Sequence, residues 1–294
     1  MLKKCRAYLC AHRRVRIALI VVLVLLALLL ILHPKGTKTY LIMGMDNYGS
    51  LDVVGRSDVM MLVQIDFTRS HISTVTFARD MFLDKDGRET KINAIVRSSD
   101  EDTLVKTLEE NFALDIDGWF RVNFTSVIEL VDAVGGVDVE LTAEEARYID
   151  RTLGVYPDSP LSEGLCHLNG GQALCFARCR KLDNDMMRGQ RQSKVMSAMV
   201  QSAKHMSIAQ IGSVYNSLKH AWRSSLSSTQ QVGLLMRALW LRGAKVTSIG
   251  MPLDDWRYGN SKKGESGVLI NFETNTALLH EALGLPAVTP EPEK

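Results

Sequence analysis

Net charge is scarce in this sequence: its 294 residues carry 35 Lys and Arg against 33 Asp and Glu, a formal +2 at pH 7. Such a balance lacks the basic field on which general nucleic-acid binding depends, and no helix-turn-helix pattern is visible, so no nucleic acid is expected as a partner. There is no internal repeat and no second long apolar run beyond residue 36. A G-x-S-x-G elbow is missing too; Ser57 beside Asp58, with His71 at the far end of a predicted strand, does not make an activated nucleophile. The apolar share of 46% excludes collagen-like, low-complexity and disordered classes and suffices for one large domain or two small ones.

The charge that is present is unevenly placed. Residues 1–16 hold six cations (Lys3, Lys4, Arg6, Arg13, Arg14, Arg16) and no acid, which leaves 29 cations against 33 acids, or −4, in the remainder. Any anion site there must be a local cluster. Residues 17–32 (IALIVVLVLLALLLIL) are uninterruptedly apolar. At about 1.5 Å per residue the run approaches the lower limit for a hydrocarbon core of roughly 30 Å. It passes into His33-Pro34-Lys35-Gly36 without a small-x-small cleavage site, so an uncleaved transmembrane helix over 17–33 is expected rather than a signal peptide. The basic segment 1–16 would then remain cytoplasmic, and the cell-membrane protein would present residues from about 36 onward outside.

In that outer region strands are predicted at 39–45, 58–66, 71–77, 137–141 and 245–251, with a loop after the last. Helices are predicted at 100–112, 125–134, 170–177, 185–206, 208–220, 228–241 and 275–283, with a loop at 154–164. The alternation argues for one α/β (α+β) domain over 36–285, a mixed central β-sheet flanked by helices. The Pro-rich tail 286–294 is expected to be disordered.

Asp46 closes the first strand and Asp58 opens the second, so neighbouring strands would place both carboxylates at one sheet edge, close to Arg56. The third strand would deliver Arg79-Asp80 to the same edge. Two carboxylates beside cations suit a hard divalent ion such as Mg²⁺; solvated loop-end charges are the plainer alternative. A second cluster, 178–194 (RCRKLDNDMMRGQRQSK), carries six cations. On its helix Arg188, Gln192, Val195, Met199 and Ala203 share one face, so Arg188 and Gln192 are aimed along the side that turns inward. Guanidinium forks and an amide match the oxygens of a phosphate or pyrophosphate, whereas a basic face bathed in water is the alternative.

With these clusters in view, the chain resembles the LytR-CpsA-Psr family of cell-envelope proteins. The matching stretches, in order, are G-M-D (44–46), R-S-D-V-M-M-L-V (56–63), R-D (79–80), K-I-N-A (91–94), V-N-F (122–124), L-V-D-A-V-G-G-V-D-V (130–139), L-N-G-G-Q-A-L (168–174), R-C-R-K (178–181) and R-G-Q-R-Q (188–192). The resemblance implies an enzyme that takes a glycopolymer, such as teichoic acid or capsule, from a polyprenyl-pyrophosphate carrier and attaches it to peptidoglycan by a phosphodiester. It places metal ligands on Asp46 and Asp58, and pyrophosphate contacts on Arg56, Arg79, Arg178, Arg180, Arg188 and Gln192. A carboxylate near the metal, Asp58 or Asp46, is the general-base candidate. The resemblance also implies an apolar groove between sheet and helices, for which the 13 methionines would be an adaptable lining. A hydrolase releasing polyprenyl phosphate and a lipid-binding regulator without turnover are the alternatives. The chain departs from the usual pattern at Ala78, where a proline commonly precedes Arg-Asp, at Asn47-Tyr48 and at Met186-Met187.

Three cysteines fall in the outer region close together. A disulfide from Cys166 to Cys175 or Cys179 is expected, with one thiol left free.

Overall fold

The computed structural model describes residues 34–287 apart from 49, 52–56, 155–159, 180–181, 183–184 and 242. The expected anchor at 17–33, the basic segment before it and the tail from 288 lie outside the described residues. Among the described residues no helix is long and apolar enough to cross a membrane.

The strands are β1 (Thr37–Met45), β2 (Ser57–Asp66), β3 (His71–Phe77), β4 (Phe82–Lys85), β5 (Arg88–Lys91), β6 (Gly118–Val122), β7 (Val137–Leu141), β8 (Gly164–Leu168), β9 (Arg223–Ser224), β10 (Lys245–Met251), β11 (Trp256–Asn260) and β12 (Ser266–Ile270). The helices are α1 (Ile92–Ser98), α2 (Glu101–Phe112), α3 (Phe124–Ala133), α4 (Ala143–Leu153), α5 (Gly170–Ala177), α6 (Asp185–Lys204), α7 (Ile208–Leu218), α8 (Ser228–Ala238) and α9 (Phe272–Leu283). Six strands form a mixed sheet in the order β10-β3-β2-β1-β6-β9. β1 runs antiparallel to β2 and parallel to β6, and β3 runs antiparallel to β2 and parallel to β10. Three two-stranded ribbons, β4-β5, β7-β8 and β11-β12, flank it.

The two faces of the sheet are covered unequally. One packs against α1, α2 and α9 in a core where Leu41, Met43, Met60, Leu62, Val75, Leu104, Leu108 and Leu279 are fully buried. The other carries Met61, Val63 and Ile72, and around them Ile42, Ile65, Met196, Val200, Leu234 and Val246 are only half-buried. A third apolar cluster joins β7 and β8 to α4, α5 and Val195. Helix ends follow the capping rules: the Asp100 side chain accepts from Thr103 N–H before α2, and α3, α4 and α5 each begin with a capping box. At the far end of the domain, His280 bridges the carbonyl oxygens of Phe112 (2.8 Å) and Pro286 (2.7 Å).

The β4-β5 and β11-β12 ribbons, β6, β8, β9, α1 and α4 are additions to the sequence reading, which left their residues as loop or unassigned. The disulfide expectation is corrected: Cys166, Cys175 and Cys179 are all free thiols. They stand on β8, on α5 and in the segment after α5, each held separately. Cys166 donates to Ser162 O (3.1 Å) and the carbonyl of Cys179 accepts from Arg191, while burial pushes the Cys175 thiol up against a hydrogen bond with Thr152.

Candidate active site

Strand direction gathers the site. β1, β3, β6 and β10 all end, and β2 begins, at the same edge of the sheet, the edge at which open α/β sheets bind ligands. Asp46 follows β1 directly and is exposed. The ladder between β1 and β2 passes from the pair Gly44–Val59 to Met45–Ser57, so Asp58 is the extra residue of a bulge. Bulges re-aim side chains at strand ends, and this one sets Asp58 on the strand beside Asp46. Arg56 and Arg180 fall outside the described residues, and for Asp58 the description stops at the backbone.

Arg79 and Asp80 follow β3 into this edge, and four contacts fix them. Ala78 N–H donates to Met251 O (2.9 Å), a bond that the proline usual at this position could not make, so the β3–β10 ladder runs one residue further. Asn93 of the K-I-N-A stretch, almost fully buried, donates its backbone N–H to Arg79 O (3.3 Å) and its amide to Asp80 Oδ1 (3.3 Å). Asp80 O accepts from Val268 N–H on β12 (3.0 Å). The neighbouring Gly267 passes so close that a Cβ there would sit 2.5 Å from Asp80 O and 2.6 Å from the Phe82 ring. Gly267→Ala is therefore expected to cost about 1–3 kcal/mol of stability by overpacking, read as a lower midpoint in urea denaturation with unchanged slope.

Helix α6 supplies the facing wall. Arg188 is 4% exposed and Gln192 half-buried on the side turned to β3 and β10. Hydroxyl contacts lock that face to the sheet: Thr76 Oγ1 to Ser193 Oγ at 2.6 Å, and Ser248 Oγ to both Ser197 Oγ and Thr74 Oγ1 at 2.8 Å. One turn along, the buried Arg191 donates to Glu145 Oε1 (2.8 Å) and to Cys179 O (3.0 Å), tying α6 to α4. Burial works to raise the Glu145 carboxyl, but the Thr142 N–H and the Arg191 guanidinium outweigh it and hold the acid below the usual carboxylate range.

Between α6 and the strand ends lies a cavity of about 1110 Å³, lined among others by Arg79, Asp80, Arg188, Gln192, Lys194, Met251 and Trp256. Its sheet wall changes character along the strands. Thr76 on β3 and Ser248 on β10 line the cavity, and further along the same side-chain face of those strands, outside it, come Thr74, Ile72 and Val246, the last two in the apolar cluster with the half-buried rim. Three of the sequence-derived positions, Arg79, Arg188 and Gln192, thus line one cavity.

Arg178 does not line that cavity. Its guanidinium stacks 4.0 Å over the Phe124 ring and donates to Tyr48 Oη (2.9 Å), two residues after Asp46. Tyr48, one of the departures from the family pattern, thus orients an arginine. Sequence reasoning missed Arg121, which is buried at the end of β6 and bonds both Glu101 and the carbonyl of Leu51, anchoring the loop behind Asp46. Met43, Met45, Met60 and Met81 are fully buried core residues, Met61 and Met196 belong to the apolar cluster on the other sheet face, and among the described residues Met251 lines the cavity.

Residues 22–272 match the LytR_cpsA_psr family. The chain is 30% identical over 174 residues to the polyisoprenyl-teichoic acid–peptidoglycan teichoic acid transferase TagV of Bacillus subtilis (56% of this chain, 44% of that protein). It is 31% identical over 199 residues to TagU of Bacillus mycoides, a transferase of the same name (65% and 60%). The chain thus spans about half the length of the curated relatives it matches. Among solved structures, TagT bound to LIIa-WTA superposes with a TM-score of 0.68 at 23% identity, covering 85% of this chain and 92% of that one. Bacillus subtilis TagV gives 0.64 at 23%, covering 86% and 99%. These structures share the fold.

Proposed function

We propose that this chain, which belongs to the LytR_cpsA_psr family, is a membrane-anchored phosphotransferase that moves a glycopolymer from a polyprenyl-pyrophosphate carrier to a peptidoglycan hydroxyl. The observation that carries the reading is the cavity in which Arg79, Arg188 and Gln192 converge, at one end of strands β3 and β10 whose further residues Ile72 and Val246 belong to an apolar cluster with a half-buried rim. One ligand type needs both features: a pyrophosphate attached to a long hydrocarbon chain. The names of the relatives, transferases of polyisoprenyl-linked teichoic acid to peptidoglycan, support the same chemistry.

In this reading the pyrophosphate lies among Arg79, Arg188 and Gln192, and its isoprenoid runs toward the apolar sheet face that carries Ile72 and Val246. The acceptor hydroxyl oxygen bonds to the phosphorus that bears the glycan, and the bond from that phosphorus to the bridging oxygen breaks. Polyprenyl phosphate leaves, a phosphodiester remains, and the hydroxyl proton passes to a carboxylate at the strand edge, Asp58 or Asp46. Charge builds on the leaving phosphate, where fixed guanidinium groups stabilise it without reorganising. Asp46 and Asp58 would hold Mg²⁺, because two carboxylates on adjacent strand ends, one of them open to water, suit a hard cation that retains water and phosphate oxygens in its shell. When bound, the ion supplies further neutralisation of the pyrophosphate.

The test is turnover by the full chain in detergent, given a synthetic polyprenyl-pyrophosphate disaccharide, Mg²⁺ and solubilised glycan strands. Polyprenyl phosphate and a phosphodiester-linked product should form together, stop on chelation with EDTA and resume with added Mg²⁺. Release at the same rate without glycan strands would make the protein a hydrolase. Binding of the donor without release would make it a lipid-binding regulator.

A further inference from the structure

The β11-β12 ribbon brings two aromatic rings to the mouth of the cavity. Trp256 and Tyr258 alternate on one face of β11, both line the cavity, and they are 41% and 66% exposed. Large aromatics are normally packed away, so a pair left open on a rigid ribbon is uncommon. Rigidity comes from the Val268–Asp80 bond, the close pass of Gly267, and the Asn275 side chain, which accepts from Leu253 N–H (2.8 Å) and donates to Asp254 O (2.6 Å) just before the ribbon. The ribbon that carries the rings is therefore fixed against the backbone of Asp80, next to Arg79. Elsewhere the cavity is lined by the exposed polar side chains of Glu140 and Gln190. Flat rings that take the C–H face of a pyranose, together with carboxylate and amide groups that take its hydroxyls, make a surface suited to carbohydrate.

We infer that Trp256 and Tyr258 form the subsite for the acceptor glycan, seating the sugar units on either side of the reacting hydroxyl. The inference rests on the transfer reading and on its in-line geometry. If the leaving polyprenyl phosphate points down the sheet toward Ile72 and Val246, the attacking oxygen must arrive from the opposite side of the phosphorus. The ribbon lies beyond the carboxyl end of β3, on that opposite side. An acceptor strand held there would have its hydroxyl oriented before attack.

Two measurements test this. In the first, the tetrasaccharide of alternating N-acetylglucosamine and N-acetylmuramic acid is titrated into the full chain without donor, and binding is followed by tryptophan fluorescence and calorimetry. Trp256→Ala with Tyr258→Ala should weaken binding roughly tenfold, whereas Trp256→Phe with Tyr258→Phe should retain most of it. In the second, the alanine pair should raise KM for the acceptor by a similar factor and leave KM for the donor unchanged. Unchanged tetrasaccharide affinity would overturn the subsite, and so would an equal rise in donor KM, which would assign the rings to the donor glycan. Ring-dependent tetrasaccharide binding by a wild type that shows no transfer would uphold the subsite and sink the transfer reading instead.

Discussion

Arg79→Ala is expected to lower the rate of transfer at saturating donor by roughly 10²- to 10³-fold, the loss that follows removal of one preorganised group from a site of developing charge. Arg79 is suited to that role by how it is held. Its side chain is one-quarter exposed, its Nε lies 3.8 Å from Asp80 Oδ1, and its carbonyl is tied to Asn93. A cation held in this way does not have to be reoriented as the bridging bond breaks, which is where its advantage over a mobile surface lysine lies. Arg79→Lys should recover only part of the rate, since an ammonium is a point charge without the planar fork that engages two phosphate oxygens. Single-turnover kinetics separate this from a binding defect. A fall of less than threefold in the chemical step would remove Arg79 from the machinery.

Arg191→Ala should be the most destabilising single change among those considered, by about 3–5 kcal/mol, because it leaves Glu145 buried without its partner. Both side chains are almost fully covered and 46 residues apart, and the pair is the clamp between α4 and α6. Replacing both by apolar residues of similar volume should cost much less than either single loss, which a double-mutant cycle in urea would show. The clamp also has a pH signature. The Glu145 carboxyl is held below its ordinary value of 4.5, so its contribution to stability is fully present above that value and is lost as pH falls through the lower, folded-state value. Glu145→Gln should flatten the acid side of the stability profile. Arg191 stands between Arg188 and Gln192 on α6, so the clamp positions the cavity wall as well as stabilising the fold.

The parts of this arrangement that could be read in the sequence are those set by short-range periodicity. β3, β7, α5 and β10 have the bounds that the pattern indicates, because each is an apolar run closed by turn residues or a cap. The direction of β1, β2 and β3 follows from their short connections, which is why Asp46, Asp58 and Arg79 could be assigned to one edge. Helical spacing alone turns Arg188 and Gln192 inward. The β4-β5 and β11-β12 ribbons were not legible: their strands are only four or five residues long, β11 is largely exposed, and β11-β12 is held by the contact of Val268 and Gly267 with Asp80 across nearly 190 positions. The same limit hid Asn93 behind Arg79, Tyr48 and Phe124 beneath Arg178, and Glu145 against Arg191. Each is a side-chain pairing between elements that no local pattern connects. The disulfide expectation failed for the converse reason, since closeness of three cysteines in sequence says nothing about whether their elements bring the sulfurs together.

The central claim is that Arg79 and Arg188 hold the phosphate end of an isoprenoid whose chain lies against the half-covered sheet face. Mass spectrometry of lipid extracted from the purified full chain tests it most directly, comparing wild type with Arg79→Ala plus Arg188→Ala after supplying polyprenyl pyrophosphate and Mg²⁺. The account predicts a stoichiometric polyprenyl phosphate or pyrophosphate in the wild type and its loss from a folded double variant. Equal retention by both proteins, or none in the wild type, would contradict it.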